Sequence, residues 1–364
     1  MKREYFGIIV ILFCFQLHSK ELGVMSYNVQ NLFDAEHGEL DKEDWEFLPI
    51  NHPLKKNMCY KSSSRRYLKK CLKTDWKELN LQFRISQLKK IIDNMSNSPV
   101  EFLSLFEVEN EAVAAKIKKA LGFDHFMMTS GDDRRGINNV LFFNDSPIKF
   151  IKKMEHRIAL PKGSTRKILE VQFSFKGKLL VFFLNHWPSP VSPLINRKLA
   201  QKTLFKKIEK VYETSPRAMI IALGDFNVLE KEEMTIFSKN VLDKMKLIGV
   251  HGEFHKSKKI KMKMKKSQPM GTYFFDREMK WNLLDRFFIS KSLLEGGNPF
   301  QVRISSYKII SLDFMRTSKI YTGKKSYLYG TRVDGVPLRY SFNNKKQSGF
   351  SDHFPIYFKL KLIN

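Results

Sequence analysis

The chain is poor in cysteine, in long apolar runs and in acid. It has three cysteines in 364 residues, and two of them, Cys59 and Cys71, stand without close histidines or further thiols. That falls short of the four ligands a structural zinc ion needs, and an even pair in an oxidising compartment closes a disulfide instead. No apolar run reaches the roughly 20 residues that cross a hydrocarbon core. Asp and Glu number 37 against 64 Lys and Arg, leaving a formal charge of +27. Such a surplus favours polyanionic partners, nucleic acid first and anionic membrane second. No internal repeat is present. The 43% hydrophobic and 13% aromatic content excludes disorder over most of the chain.

The amino terminus, MKREYFGIIVILFCFQLHS, has a short basic start, an apolar run from Tyr5 to Leu17 and a small residue before Lys20. This is the pattern of a signal peptide over residues 1–19, so the mature protein is expected to be exported, periplasmic or extracellular. A retained anchor is the alternative. Cys14 follows a bulky Phe13, which disfavours a lipoprotein site. Cleavage removes Lys2, Arg3 and Glu4, net +1, and leaves +26.

Beyond residue 20 the sequence alternates strand-like and helical runs. LGVMSYNV (22–29), EFLSLFEV (101–108), NVLFF (139–143), ILEVQFSF (168–175), LLVFFLNH (179–186), AMIIALGD (218–225), WNLLDRFFIS (281–290) and FPIYFKLKL (354–362) read as strands. Leu81, Ile85, Leu88, Ile92 and Met95 recur at helical spacing, NEAVAAKIKKAL (110–121) reads as a helix, and Ser192 and Pro193 open another carrying Ile195, Leu199, Ile208, Val211 and Tyr212. Strands mixed with a few long helices give an α+β sandwich. Two acid-free basic segments interrupt it. Residues 54–73 hold eight Lys and Arg with both cysteines inside and are expected as a stapled surface loop, and 255–266 hold seven lysines and are expected as a loop or frayed hairpin. Candidate chemistry lies at both chain ends and between them, so 20–364 is expected to form one catalytic domain.

Seven polar residues sit at the ends of apolar runs: Asn28, Glu107, His186, Asp225, Asn227, Asp352 and His353. Phosphodiester hydrolysis needs a hard cation, a base for water, and donors for the charge building on phosphate oxygens. Carboxylates, amides and histidines supply those types. Each motif alone has a bland reading as a solvated strand edge or an ordinary turn.

Taken in order, YNVQNLFD, LSLFEVEN, DDRRGINNVLFF, FLNHWPSP, ALGDFN, LLDRFFIS and FSDHFPIYFKL resemble the endonuclease/exonuclease/phosphatase superfamily, over about Leu22 to Leu362. The resemblance implies a four-layered α/β/β/α sandwich around one metal-dependent site. It assigns Asn28, Glu107 and Asp352 to the metal, Mg2+ with Mn2+ or Ca2+ as alternatives. His353 becomes a base or phosphate contact charged and oriented by Asp285, and Asp225 with Asn227 handles the attacking water and the scissile phosphate. His186 matches a histidine of deoxyribonuclease I and sphingomyelinases that abasic-site endonucleases replace with asparagine, and Gln30 stands where those enzymes carry aspartate. Abasic-site repair is thereby disfavoured. Arg166 fits a phosphate-contacting arginine, against a solvated arginine at a strand start, and the role of Arg135 and Gly136 is open.

Within such a superfamily loops choose the substrate. The two basic segments, with Tyr60, Tyr67 and Trp76 for stacking, point to a non-specific endonuclease acting on DNA, or on RNA. A secreted sphingomyelinase or phospholipase resting on anionic membrane through Met262 and Met264, and a catalytically silent nucleic-acid-binding module, are the alternatives.

Overall fold

The computed structural model describes residues 21–38, 43–62, 65–95, 98–131, 133–145, 148–256, 269–295, 297–343 and 346–363. The expected signal peptide, and the basic segment 255–266 beyond Lys256, lie outside these residues.

Strand β1 (Glu21–Leu32) leads through helices α1 (Lys55–Ser62), α2 (Arg65–Lys73) and α3 (Glu78–Asp93) to β2 (Phe102–Val108). Helix α4 (Glu111–Leu121) and strands β3 (His125–Met128) and β4 (Asn138–Phe143) follow. The second half runs β5 (Lys149–His156), β6 (Ile168–Phe175), β7 (Lys178–His186), α5 (Leu194–Thr214), β8 (Met219–Asp225), α6 (Glu230–Ile236), α7 (Lys239–Lys244), β9 (Leu247–Gly249) and α8 (Val250–Lys256). A short hairpin of β10 (Tyr273–Phe275) and β11 (Lys280–Asn282) precedes β12 (Asp285–Ser290) and β13 (Phe300–Ile309). Two more hairpins, β14 (Arg316–Ile320) with β15 (Arg332–Pro337) and β16 (Ser341–Asn343) with β17 (Lys346–Ser348), come before β18 (Ile356–Leu362).

Two six-stranded sheets result, in the orders β13-β18-β1-β2-β4-β3 and β5-β6-β7-β8-β12-β9. Each is antiparallel except at its centre, where β1 pairs parallel with β2 and β7 with β8. Parallel neighbours need a crossover, and α3 and α5 lie on those two connections. The sheets face each other. Period-2 alternation decides which side chains meet between them: Leu180, Phe182 and Leu184 of β7 and Met219, Ile221 and Leu223 of β8 join the core shared with the first sheet. Val181, Phe183, Ile220 and Ala222 pack outward against Ala200, Leu204, Ile208 and Val211 of α5. Leu81, Ile85, Leu88 and Ile91 of α3 cover the other outer face. The expected four-layered α/β/β/α sandwich is therefore the observed fold.

Three local expectations need correction. Segment 54–73 is a helical hairpin rather than a loop, because Lys and Arg are good helix formers and because Cys59 and Cys71 are disulfide-bonded, Cα atoms 5.8 Å apart, over a small core with Trp45 and Leu48. Lys55 within it is buried, its Nζ donating to the carbonyls of Glu46 (2.9 Å) and Leu48 (2.7 Å), and desolvation lowers its pKa to about 8. WNLLDRFFIS is two strands, broken at Leu283 and Leu284. Ile195 is exposed, whereas Arg197 of the same helix is buried on Glu232 at 2.6 Å.

Helix α8 packs on β12 and β13 and places the His251 ring 5.7 Å from Tyr307 and 4.2 Å from His255. Burial, with His255 and Arg286 adding, pushes His251 down to about 3. The unfolded chain protonates near pH 6.5 and the folded chain resists until far lower, so stability drops as pH falls below 6.5. Urea unfolding at pH 7 and pH 5 should show an acid loss about 1 to 2 kcal/mol smaller in His251→Gln. An identical pH response in the variant would contradict this burial.

Candidate active site

The carboxyl ends of the two parallel pairs meet, the place where open sheets leave a crevice for ligands. Asn28 of β1 reaches across the sandwich, its Nδ2 donating to Asp225 Oδ2 of β8 at 3.0 Å. His186 ends β7 beside them, Nε2 3.6 Å from Asp225 Oδ2 and 3.8 Å from Glu107 Oε1. These residues, with Asn227, Asp352 and His353, line one cleft of about 820 Å³.

Strand alternation would send Glu107 the wrong way. Phe102 faces the second sheet, its ring 4.6 Å from that of Phe182, so Leu103, Leu105 and a regular residue 107 would face the helices. Instead Glu107 adopts φ +69, and the pairing with β4 jumps from Phe106 to Val108. The extra residue of this bulge turns its carboxylate into the cleft. Gln30 and Asn31 on β1 also have positive φ, 56 and 51, and the Asn31 amide donates to Glu107 Oε2 at 2.8 Å. Arg84, buried on α3, holds that turn: its guanidinium donates to the carbonyls of Val29 and Gln30, the latter at 3.2 Å, with the Tyr340 ring 4.2 Å away. Sequence reasoning missed Arg84. Its signal was an arginine inside the apolar stripe of Leu81, Ile85 and Leu88.

Opposite Glu107, His353 Nδ1 donates to Asp285 Oδ2 at 2.7 Å, and its Nε2 lies 3.9 Å from Asp225 Oδ2. Desolvation opposes charge on His353, but Asp285, Asp225 and Asp352 overcome it and raise the pKa to about 10. Desolvation lifts Asp225 to about 7, with Asp285 adding against His353. His186 is pushed well below its usual value by burial, then by Arg166 and Arg135, and its Nδ1 finds no partner among the described residues. The pair of Ser351 and Thr272, also unforeseen, fixes the frame. Ser351 Oγ donates to the Asn28 carbonyl (2.7 Å) and accepts from the His353 amide (3.1 Å), and Thr272 Oγ1 accepts from the Asp285 amide (3.2 Å).

The sequence profile of the Endonuclease/Exonuclease/phosphatase family matches residues 23–362. The chain belongs to this family. A search among curated proteins by sequence returned no match. Among solved structures, a humanised D. rerio TDP2 superposes with TM-score 0.52 at 15% identity, covering 94% of this chain and 99% of that one. TDP2 from C. elegans gives TM-score 0.53 at 13% identity over 94% of this chain and 75% of that one. A mannosyl-6-phosphatase from Bacteroides thetaiotaomicron gives 0.52 at 14% identity over 93% and 99%. At such identities the likeness establishes the fold. Members of the endonuclease/exonuclease/phosphatase family are phosphoesterases, and this chain has the phosphoesterase fold.

In this family member Arg166 is less available than its sequence position implied. It is buried, donating to Asp133 Oδ2 (3.1 Å) and to the Trp187 carbonyl (2.6 Å), although it still lines the cleft. Asn227, in the left-handed region at φ 53, donates to the same carbonyl at 3.0 Å. Arg135, by contrast, is half-exposed with Nη2 3.9 Å from Glu107 Oε1. Trp76 is buried and cannot stack on a ligand, whereas Tyr60 and Tyr67 are exposed.

The LGDFN turn depends on Gly224. At its φ of +130 a Cβ would stand 2.0 Å from the Asn185 carbonyl oxygen and 2.7 Å from Phe106. Gly224→Ala should therefore cost about 3 kcal/mol or more of unfolding free energy. Gly131→Ala, where a Cβ meets nothing within 4 Å, should be near neutral. Equal melting temperatures for Gly224→Ala and wild type would contradict the close approach.

Proposed function

We propose that the protein is an exported, divalent-metal-dependent phosphodiesterase that hydrolyses nucleic acid, with DNA as its first substrate. The observation that carries the chemistry is the His353–Asp285 pair, 2.7 Å apart, placed beside Asp225 and across the cleft from Glu107. The +27 charge supports a polyanionic substrate, and the 1–19 pattern supports export. A D. rerio TDP2 of similar fold is complexed with a single strand DNA product.

The donor set fits a hard cation. Glu107 and Asp352 line one cleft, and Asp352 is raised above the usual carboxylate range by desolvation, the charge of Glu107 adding to it. Among the described residues no group of three or more His, Cys, Asp or Glu forms an all-protein cage. Mg2+ suits such an open site, since it is usually bound by one or two carboxylates and keeps positions for water and phosphate; Mn2+ and Ca2+ share the oxygen preference. Glu107, Asp352 and the amide of Asn28 would hold it. When bound, the ion neutralises phosphate charge and draws electron density from phosphorus.

The chain's own residues do the rest. Asp225, poised about neutrality, takes a proton from the attacking water, and Asn28 Nδ2 fixes its carboxylate. His353, kept cationic by Asp285, faces the charge that grows on the phosphate oxygens. Asn227 fixes the turn that follows Asp225, its amide N–H donating to Asp225 Oδ1 at 3.0 Å.

Plasmid DNA, sphingomyelin and mannose 6-phosphate should be offered side by side, with EDTA controls. DNA should be cut, EDTA should stop the reaction, and Glu107→Gln or His353→Ala should lower turnover at least about a hundredfold while folding is kept. Hydrolysis of the lipid or sugar phosphate alone would overturn the nuclease reading. Wild-type rates in folded His353→Ala would overturn the site.

A further inference from the structure

A second cleft, of about 530 Å³, meets the catalytic one at Arg135, which lines both. Its walls come from the end of β1 and the residue after it (Asn31, Phe33), the segment Glu43–Phe47, and the disulfide-tied helix α2 (Tyr67, Lys70, Cys71). The floor is aromatic. Phe33 and Phe47 stack with ring centres 4.1 Å apart, and Tyr67 stands 54% exposed at the rim.

Charge in this cleft is balanced, unlike that of the chain. Lys70 pairs with Glu46 at 2.6 Å, and Arg134 Nε donates to Glu43 at 2.7 Å. At the junction of the two clefts stands Arg135, 3.9 Å from Glu107 and 46% exposed. A phosphate is matched by the junction and a flat, neutral ring by the cleft beyond it. Alternating anions and aromatic rings along one polymer are the chemistry of a nucleic-acid strand.

We infer that this second cleft is a binding site for the nucleotide next to the scissile phosphate, with its base against Tyr67 and Phe47 and the intervening phosphate on Arg135. The inference rests on the nuclease reading of the same site. A base paired in a duplex keeps its faces stacked on its neighbours, so the cleft selects single-stranded or locally opened nucleic acid. The disulfide hairpin then serves specificity: Cys59–Cys71 holds the wall that carries Tyr67.

The test compares wild type with Tyr67→Ala on a single-stranded oligonucleotide, the same oligonucleotide with abasic residues beside the cut, its duplex, and bis(p-nitrophenyl) phosphate. Tyr67 is on the surface, so the variant should fold. Tyr67→Ala should raise KM on the single strand by about 5- to 100-fold, the range of one base–aromatic stack. It should leave the small diester unchanged. Abasic residues should weaken the wild type by a similar factor and the variant by little more, because both remove one contact. Cleavage of the single strand with no response to either change would overturn this site and leave the nuclease reading standing. Hydrolysis of the small diester or of sphingomyelin vesicles without any nucleic-acid cleavage would overturn both.

Discussion

Everything in the cleft depends on one residue held against its backbone preference. Glu107 at φ +69 pays roughly 1–3 kcal/mol of local strain, and without it the carboxylate would face the helices. The strain is held by neighbours that are themselves held. Arg84 on α3 grips the carbonyls of Val29 and Gln30, the β1 turn presents the Asn31 amide, and that amide grips Glu107. Packing of an outer helix is thus converted into the aim of a carboxylate on the opposite side of a sheet. The register jump after Phe106 records where the regular ladder gives way.

The second constraint is charge. Glu107, Asp225, Asp285 and Asp352 converge on a partly desolvated space, and the cations answering them there include His353, Arg135 and the deeply engaged Arg166. Carboxylates gathered this way raise one another's pKa unless positive charge arrives. His353 responds by holding its proton to about 10, Asp225 by climbing to about 7. A divalent ion and a phosphate bring opposite charges to such a site together, which is why the geometry suits phosphoester chemistry rather than mere anion binding. On the proposed nuclease reading, the basic surface would act at longer range, concentrating polyanions near the cleft.

Much of this was legible in the sequence, for reasons that differ residue by residue. Leu180, Phe182, Leu184 and His186 share one face because strands repeat every two residues, so the α+β sandwich and the ends of β7 and β8 followed from pattern, whereas the four layers came from the family resemblance. Glu107 was legible as a strand-end acid, but its direction was not, because composition does not encode the sign of φ. Arg84 was hidden by its helix, whose apolar stripe explained itself without it. The lysines and arginines of 54–73 suggested solvated loop, yet charge run and helix propensity coexist, and burying Cys59, Cys71 and part of Lys55 requires folded structure. Arg166 was readable as a cation near the site, while its commitment to Asp133 and the Trp187 carbonyl is a tertiary fact no local motif contains.

The central claim is that the strained Glu107 carboxylate and Asp352 form one metal-binding edge. Crystals soaked in Mn2+ and measured at the manganese absorption edge test it directly. The expected result is an anomalous peak about 2.0 to 2.3 Å from a Glu107 carboxylate oxygen, lost in Glu107→Gln while the surrounding density is unchanged. A peak elsewhere on the protein with none beside Glu107, or an undiminished peak in the variant, would contradict it.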